Sequence, residues 1–242
     1  MPQIIDGGGP GGGAEPLQIN ADTCAQILDI VGTQLKDITK VTWSTTKTFP
    51  YLNLGVKEIV NLKPEAYAVT FGNVQLAAGP RQNLPPGALF LVDVEGVVNL
   101  SNNLTSSVQL ITKAQMDRLF PGWYAFAGDD TIQYVMRDDR NPEVFYVFPP
   151  PPPTTTQAAS LICSCYPAEV TSLVQNDNVT PTDFPLDNSY VPAIVDYIIY
   201  RCLVEETEIP NAQAKGTAFY QMFLQKLGAG KAAKAKSDAE GM

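Results

Sequence analysis

Histidine is absent from the 242 residues of the chain. That removes the commonest general base, the commonest metal ligand and any Ser-His-Asp or Cys-His arrangement, and so moves the reading away from hydrolases. Cysteine is scarce. Cys24, Cys163, Cys165 and Cys202 are too few, in a chain this long, for the disulfide scaffold of a secreted domain. No run of 18 or more apolar residues occurs, and the N-terminus lacks a basic stretch followed by an apolar one, so neither a membrane span nor a signal peptide is expected. Synthesis in the cytoplasm is the expectation. Charge is sparse too, at 17% of residues against roughly 25% in ordinary globular chains. What charge there is sums to −9, which argues against a duplex-DNA binder, since such proteins need a basic face to release counterions. An acidic channel through which DNA passes remains compatible.

Enough apolar material is present for a real core. Val, Ile, Leu and Phe number 64, about a quarter of the chain, above the roughly 20% below which chains tend to stay disordered. Low charge together with 18 glycines and 20 prolines suggests a protein that hides much of its surface against other chains.

The chain divides by pattern. Residues 1–19 contain the run Gly7-Gly8-Gly9-Pro10-Gly11-Gly12-Gly13, an arm with little to pack and much backbone entropy to lose. From Asn20 or Asp22, either a good N-cap, the positions Cys24, Ile27, Leu28, Val31, Leu35 and Ile38 recur at helical spacing. A second helix is predicted between Trp43 and Lys63, capped by Ser44 or Thr48 and burying Leu52, Val56, Ile59 and Val60. Pro50 suits a first turn better than an interior.

Residues 65–185 change period and predict a small inserted β domain, with strands at 66–71, 89–94, 108–111 and 160–166. A short helix capped by Thr112 runs to Leu119. The runs Thr131–Met136 and Val144–Phe148 flank Asp138-Asp139-Arg140-Asn141-Pro142 and read as a hairpin. Helix then returns. Asp187, Asn188 or Ser189 caps a run through Val191, Ile194, Val195, Ile198, Ile199, Cys202 and Leu203. Pro210 opens a last helix with Phe219, Tyr220, Phe223, Leu224 and Leu227 on one face and Gly228 as its stop. Residues 229–242 form a Lys/Ala tail. The fold class expected is α+β: an antiparallel helical bundle, from residues 20–64 and 186–228, interrupted by the β domain and carrying extended terminal arms.

Few features suggest chemistry. The glycine run lacks the preceding strand and the Gly-Lys-Ser/Thr ending of a phosphate loop. Cys163 and Cys165 share a strand face but lack a second pair to complete a metal shell, and read as small core residues, as do Cys24 and Cys202. Asp129, Asp130, Asp138 and Asp139 could be imagined around a hard cation, although turns and solvent explain them more simply. Pro149–Pro153 could present a polyproline II ligand, or serve as a stiff spacer at a strand exit. Lys231, Lys234 and Lys236 make a basic tail on an acidic body, able to dock on an acidic neighbour. No catalytic constellation and no cofactor are expected.

The order of segments carries a resemblance. "LFPGWYAF" (119–126), "IQYVMRDDRNPEVFYVFPPPP" (132–152) and "LDNSYVPAIVDYIIYRCLVEETEIPNAQAKGTAFYQMFLQKLG" (186–228) resemble the head-to-tail adaptor (connector) proteins of tailed bacteriophages, most like those of short-tailed phages. "WSTTKTFPYLNLGVKEIVNLKPEAY" (43–67) is similar to the opening of that family. The resemblance implies a structural, non-enzymatic virion protein at the head–tail junction, present in the host cytoplasm during assembly. It further implies a homo-oligomeric ring, usually of twelve copies, below the portal protein. The helical part and the C-terminal segment, here Phe223, Leu227, Lys231, Lys234 and Lys236, would meet the portal. The β part would face the tail nozzle or fibres, and genomic DNA would pass through the channel without sequence-specific binding. Pro50 departs from the pattern and predicts a second helix that starts late or kinks. The alternatives are another neck component such as a nozzle or stopper protein, a metal-dependent hydrolase built on the acidic cluster, and a polyproline-presenting module.

Overall fold

The computed structural model describes residues 23–100, 104–154, 156–173, 181–206 and 210–240, with the backbone alone described at 104 and 229–240. The glycine-rich arm, and Asn20 and Asp22 as caps, lie outside the described residues. Within them the chain is a mixed α+β structure of five α-helices and two four-stranded sheets.

Helix α1 (Cys24–Gln34) is started by Thr23 through a capping box. The Thr23 hydroxyl accepts from the Gln26 N–H at 3.3 Å, while the Gln26 side chain accepts from the Thr23 N–H at 3.1 Å. The apolar stripe Cys24, Ile27, Leu28 and Val31 is buried as predicted. Ile38 corrects the prediction: it is 75% exposed. The helix stops at Gln34, Lys36 takes a left-handed φ of 59°, and Asp37 organises the turn that leads to Trp43. Its carboxylate accepts from the N–H groups of Val41 (2.9 Å), Thr42 (3.0 Å) and Trp43 (2.7 Å). Those bonds, the one from Trp43 above all, hold the carboxyl below the usual carboxylate range. Asp37→Ala therefore lowers the melting temperature at neutral pH. A carboxyl with a depressed folded value stabilises above its unfolded value and loses that contribution as pH falls through the folded one. The gap between variant and parent in thermal melts accordingly closes on strong acidification. A gap that is constant with pH would contradict this account.

Helix α2 (Thr45–Leu62) begins beside Ser44, which makes no side-chain cap. It does not start late: Pro50 lies in its second turn. The missing N–H deprives the Thr46 carbonyl of its donor four residues on. The helix persists because Leu52, Gly55, Val56, Ile59 and Val60 are buried in the helical core.

Helix α4 (Val191–Glu205) is the centre of that core. Apolar nearly all round, as a fully buried helix must be, it packs against α1, α2 and α5 (Ala212–Glu240). Asp187 holds the 3₁₀ turn that feeds it, accepting from the Ser189 N–H at 2.8 Å. Gly228 does not end α5. The helix runs on to Glu240, and residues 229–240 are helical rather than an irregular tail. A glycine inside a helix costs only about 1 kcal/mol, and the Ala/Lys-rich sequence beyond it has high helix propensity.

The first sheet has the order β1-β8-β3-β4, all antiparallel, from β1 (Ala68–Gln75), β8 (Gln157–Cys165), β3 (Ala88–Asn99) and β4 (Leu104–Ser106). The second has the order β2-β7-β6-β5, from β2 (Arg81–Asn83), β7 (Val144–Phe148), β6 (Tyr134–Arg137) and β5 (Gln109–Thr112), with only β5 and β6 parallel. The hairpin read from the sequence is β6–β7, paired from Tyr134–Phe148 to Arg137–Phe145; its first strand begins at Tyr134 rather than Thr131. Leu91, Val97, Val135, Phe145, Val147 and Leu161 fill the core between the sheets. A separate cluster joins Met116 and Trp123 to Met136 and Phe148.

Candidate interaction surfaces

Two regions of the molecule are candidates for contact with other chains. The first is the end of α5. Phe223 and Leu227, expected to contact a partner, are instead buried within the chain, at 0% and 5% exposure. They belong to an aromatic ladder in which Tyr197 and Phe223 stand 5.3 Å apart, Tyr220 and Phe223 5.7 Å, and Tyr200 and Tyr220 4.8 Å. Gly216, near the start of α5, abuts Leu203 and Val204 at the end of α4. At the other end, the Lys226 ammonium stands 2.5 Å from Asp196 Oδ2 and donates to the Pro192 carbonyl at 3.0 Å. The two helices therefore run antiparallel, and Lys226 is level with the first turn of α4. The remainder of α5 passes beyond that turn; twelve residues, 229–240, span about 18 Å of helix. Lys231, Lys234 and Lys236 sit on this extension, their side chains outside the described residues.

Asp196 is a buried carboxylate, and burial raises its pKa more than the ammonium of Lys226 lowers it. The pair fixes where along α4 the last helix is rooted.

A second region is aromatic. Helix α3 (Lys113–Leu119) carries a capping box between Thr112 and Gln115, as the Thr112 cap predicted. Gly122, at a φ of 86°, turns the chain so that the Trp123 indole donates to Asp117 Oδ1 at 2.7 Å. That bond, with help from Lys113 at 3.1 Å, holds the Asp117 carboxyl low. Trp123 is thereby buried while its neighbours are left outside: Phe120, Tyr124 and Phe126 are 45%, 58% and 53% exposed. Phe120 and Phe126 lie 5.6 and 5.1 Å from Phe148 and continue its ring surface outward. Such clusters are typical of the centres of protein interfaces. Sequence reading missed this patch because a loop has no period to tell inward from outward side chains. The density of aromatic residues around Pro121-Gly122 was the available signal.

The other predicted sites are used internally. Asp129 accepts from the Thr131 N–H, Asp138 accepts from the Arg140 N–H, and Asp139 pairs with Arg137 at 3.7 Å. Among the described residues no three His, Cys, Asp or Glu side chains converge as a metal would require. Pro149, Pro150 and Pro151 are buried, and the Pro150 and Pro151 carbonyls accept from the Asp129 and Gly79 N–H groups. The segment is thus a packed strand exit, not a displayed ligand. Burial pushes the thiol of Cys24 up to about 11 and those of Cys163 and Cys202 to about 12, which keeps them protonated and unreactive at neutral pH. Among the described residues no helix is long and apolar enough to cross a membrane.

Comparison with known families adds the decisive observation. The family model described as SU10 adaptor protein matches residues 22–241. The chain belongs to that family. The match begins beside the Thr23 cap and ends just past the described end of α5, so it takes in both sheets and all five helices. No curated protein matches the chain. Family membership makes a phage structural adaptor the coarse reading, with other head or tail proteins as its partners and the virion as its place.

Proposed function

We propose that this family member is a ring subunit, dodecameric like the adaptors its sequence resembles, that joins the portal to the tail and continues the DNA channel. The short-tailed phages are the group whose adaptors it resembles most. Family membership supports the structural role, and the observation that carries the orientation is the extension of α5 past the helix on which it is rooted. In this reading residues 20–64 and 186–228 form the antiparallel bundle that sits under the portal. Phe223 and Leu227 anchor the last helix from within, and Lys231, Lys234 and Lys236 travel on its far end to the portal surface. The domain of residues 65–185, with the Phe120–Tyr124–Phe126 patch, faces the tail nozzle or fibres. Rotating one side-to-side contact around a closed axis makes a pore without any catalytic chemistry.

The test is to mix the purified chain with portal rings and follow co-sedimentation and ring density by electron microscopy. Full-length protein is expected to co-sediment as a closed ring. A chain ending at Gly228 keeps its fold, melting within about 2 °C of the parent because the removed turns lie beyond the α4 packing, yet loses at least tenfold in portal affinity, about 1.4 kcal/mol. Undiminished binding by the shortened chain would overturn the assigned orientation; no binding by either would overturn the adaptor reading. Placement of the subunit away from the portal would favour the nozzle or stopper alternative.

A further inference from the structure

The turn between α1 and α2 is fastened far more firmly than a connection needs. Besides the three amides that Asp37 captures with its carboxylate, its own N–H donates to the Gly32 carbonyl at 2.8 Å, and the Lys40 N–H donates to the Asp37 carbonyl at 2.9 Å. The Lys40 ammonium adds an ion pair with Asp29 at 2.6 Å. Lys36 and Lys40 stand at φ of 59° and 54°, in the left-handed region that residues other than glycine seldom enter, so the turn is held in one strained shape. What that shape presents is Ile38 and Val41, 75% and 81% exposed, more than any other large apolar side chain among the described residues. Side chains fixed in this way lose little freedom when a second surface covers them. Beside them the exposed Lys36 makes no ion pair among the described residues.

The same chain carries a surface of matching character. Helices α2 and α5 each pack on α4 but hardly on each other, which leaves a furrow between them. It is bridged where the Tyr220 hydroxyl donates to Glu58 Oε1 at 3.3 Å, so Glu58 lies on the side of α2 that faces α5. Leu54 and Leu62 are four residues to either side of Glu58, hence on that same side, and both are exposed. Glu58, like Lys36, makes no ion pair among the described residues. An apolar row with an unpaired carboxylate at its centre thus complements an apolar knob with an unpaired ammonium at its flank.

Knob and furrow are different patches. The knob emerges where α1 meets α2, and α1 packs on α2 and α4, whereas the furrow opens towards α5. A contact between unlike patches is heterologous: each copy offers one patch and keeps the other for the next, so the contact repeats and closes into a ring instead of stopping at a pair. Resting on the ring reading above, we propose that Ile38 and Val41 of one copy seat in the Leu54–Glu58–Leu62 furrow of the next, with Lys36 paired to Glu58 across the junction.

Two full-length chains test this, one carrying Lys36→Cys and the other Glu58→Cys, treated with a short bismaleimide separately and as a mixture. The native thiols stay silent because all four cysteines are buried. The mixture is expected to give at least about tenfold more cross-linked dimer than either chain alone, with a yield that falls as salt is raised. Adding Ile38→Asp and Val41→Asp to the first chain abolishes the cross-link while its melting temperature stays within about 2 °C, since both side chains lie outside the core. In sedimentation velocity Lys36→Glu and Glu58→Lys each weaken self-association, and the two together in one chain restore it. Equal dimer yields in the three samples, or charge reversals that do not rescue each other, would overturn the proposal. No portal is present in these measurements. A cross-link without portal binding therefore tells against the adaptor reading alone, and rings on the portal without the cross-link tell against this contact alone.

Discussion

Gly55→Leu is expected to destroy the packing of the helical layer and to lower the melting temperature by about 10 °C or more. A Cβ at this position overlaps Ile194 Cδ1 and stands 2.7 Å from Tyr197 Cδ1, because α2 and α4 approach most closely where no side chain intervenes. Ile194 is fully buried and Tyr197 nearly so, so neither has open space to move into. Even Gly55→Ala is unfavourable: the gain of about 1 kcal/mol in helix propensity is outweighed by an overpacking cost of about 1–3 kcal/mol. Leucine adds three more carbons at the same point and forces the helices apart. The loss is then about 3 kcal/mol or more, and each kcal/mol corresponds to about 2–4 °C in a chain of this size. Circular dichroism melts of the two variants decide the matter. A leucine variant melting within about 2 °C of the parent would show that the helices are not in contact at Gly55.

The second large effect is at the root of α5. Lys226→Met leaves the Asp196 carboxylate buried without its cation. Removing one member of a buried pair costs about 3–5 kcal/mol; here the lysine is 42% exposed and water can reach the vacated position, which reduces the expected loss to about 2 kcal/mol. The pH dependence is distinctive. Burial raises the Asp196 pKa in the folded chain, and loss of Lys226 raises it further. A carboxyl raised in this way costs nothing below its unfolded value, where it is neutral in both states, and the cost grows as pH rises through the folded value. Urea unfolding should therefore show the largest deficit near neutrality and a smaller one near pH 4. Asp196→Leu combined with Lys226→Met should recover most of the loss, since an apolar replacement of the whole pair removes the stranded charge. A deficit independent of pH, or additive losses in the double variant, would show that the pair is not coupled.

How much of this was legible in the sequence depends on which features are local. Helical stripes depend on spacing alone, so α1, α2, α4 and α5 were readable, as were the Thr112 cap and the hairpin around Asp138–Pro142. Ends decided by distant or competing interactions were not. Ile38 continues the α1 spacing, but the Asp37 carboxylate captures three backbone amides and ends the helix. Pro50 and Gly228 carry local signals that oppose helix, and tertiary burial overrides the first while flanking propensity overrides the second. Phe223 and Leu227 show the same limit at the candidate site. An apolar stripe announces that something covers it without saying whether the cover belongs to the same chain.

Lys226 has a mechanical consequence. Because Lys226 and Leu227 join α5 to the helical core just before residues 229–240, a load on those distal turns arrives at the Asp196 ion pair, the Pro192 carbonyl and the buried Leu227 together. Helix α4 touches α1, α2 and α5, so it spreads that pull through the whole helical layer rather than letting it peel one element away. Pull on the far turns is therefore shared between the buried Phe223 and Leu227 and the Lys226 ion pair, and no single contact sets the strength of the joint.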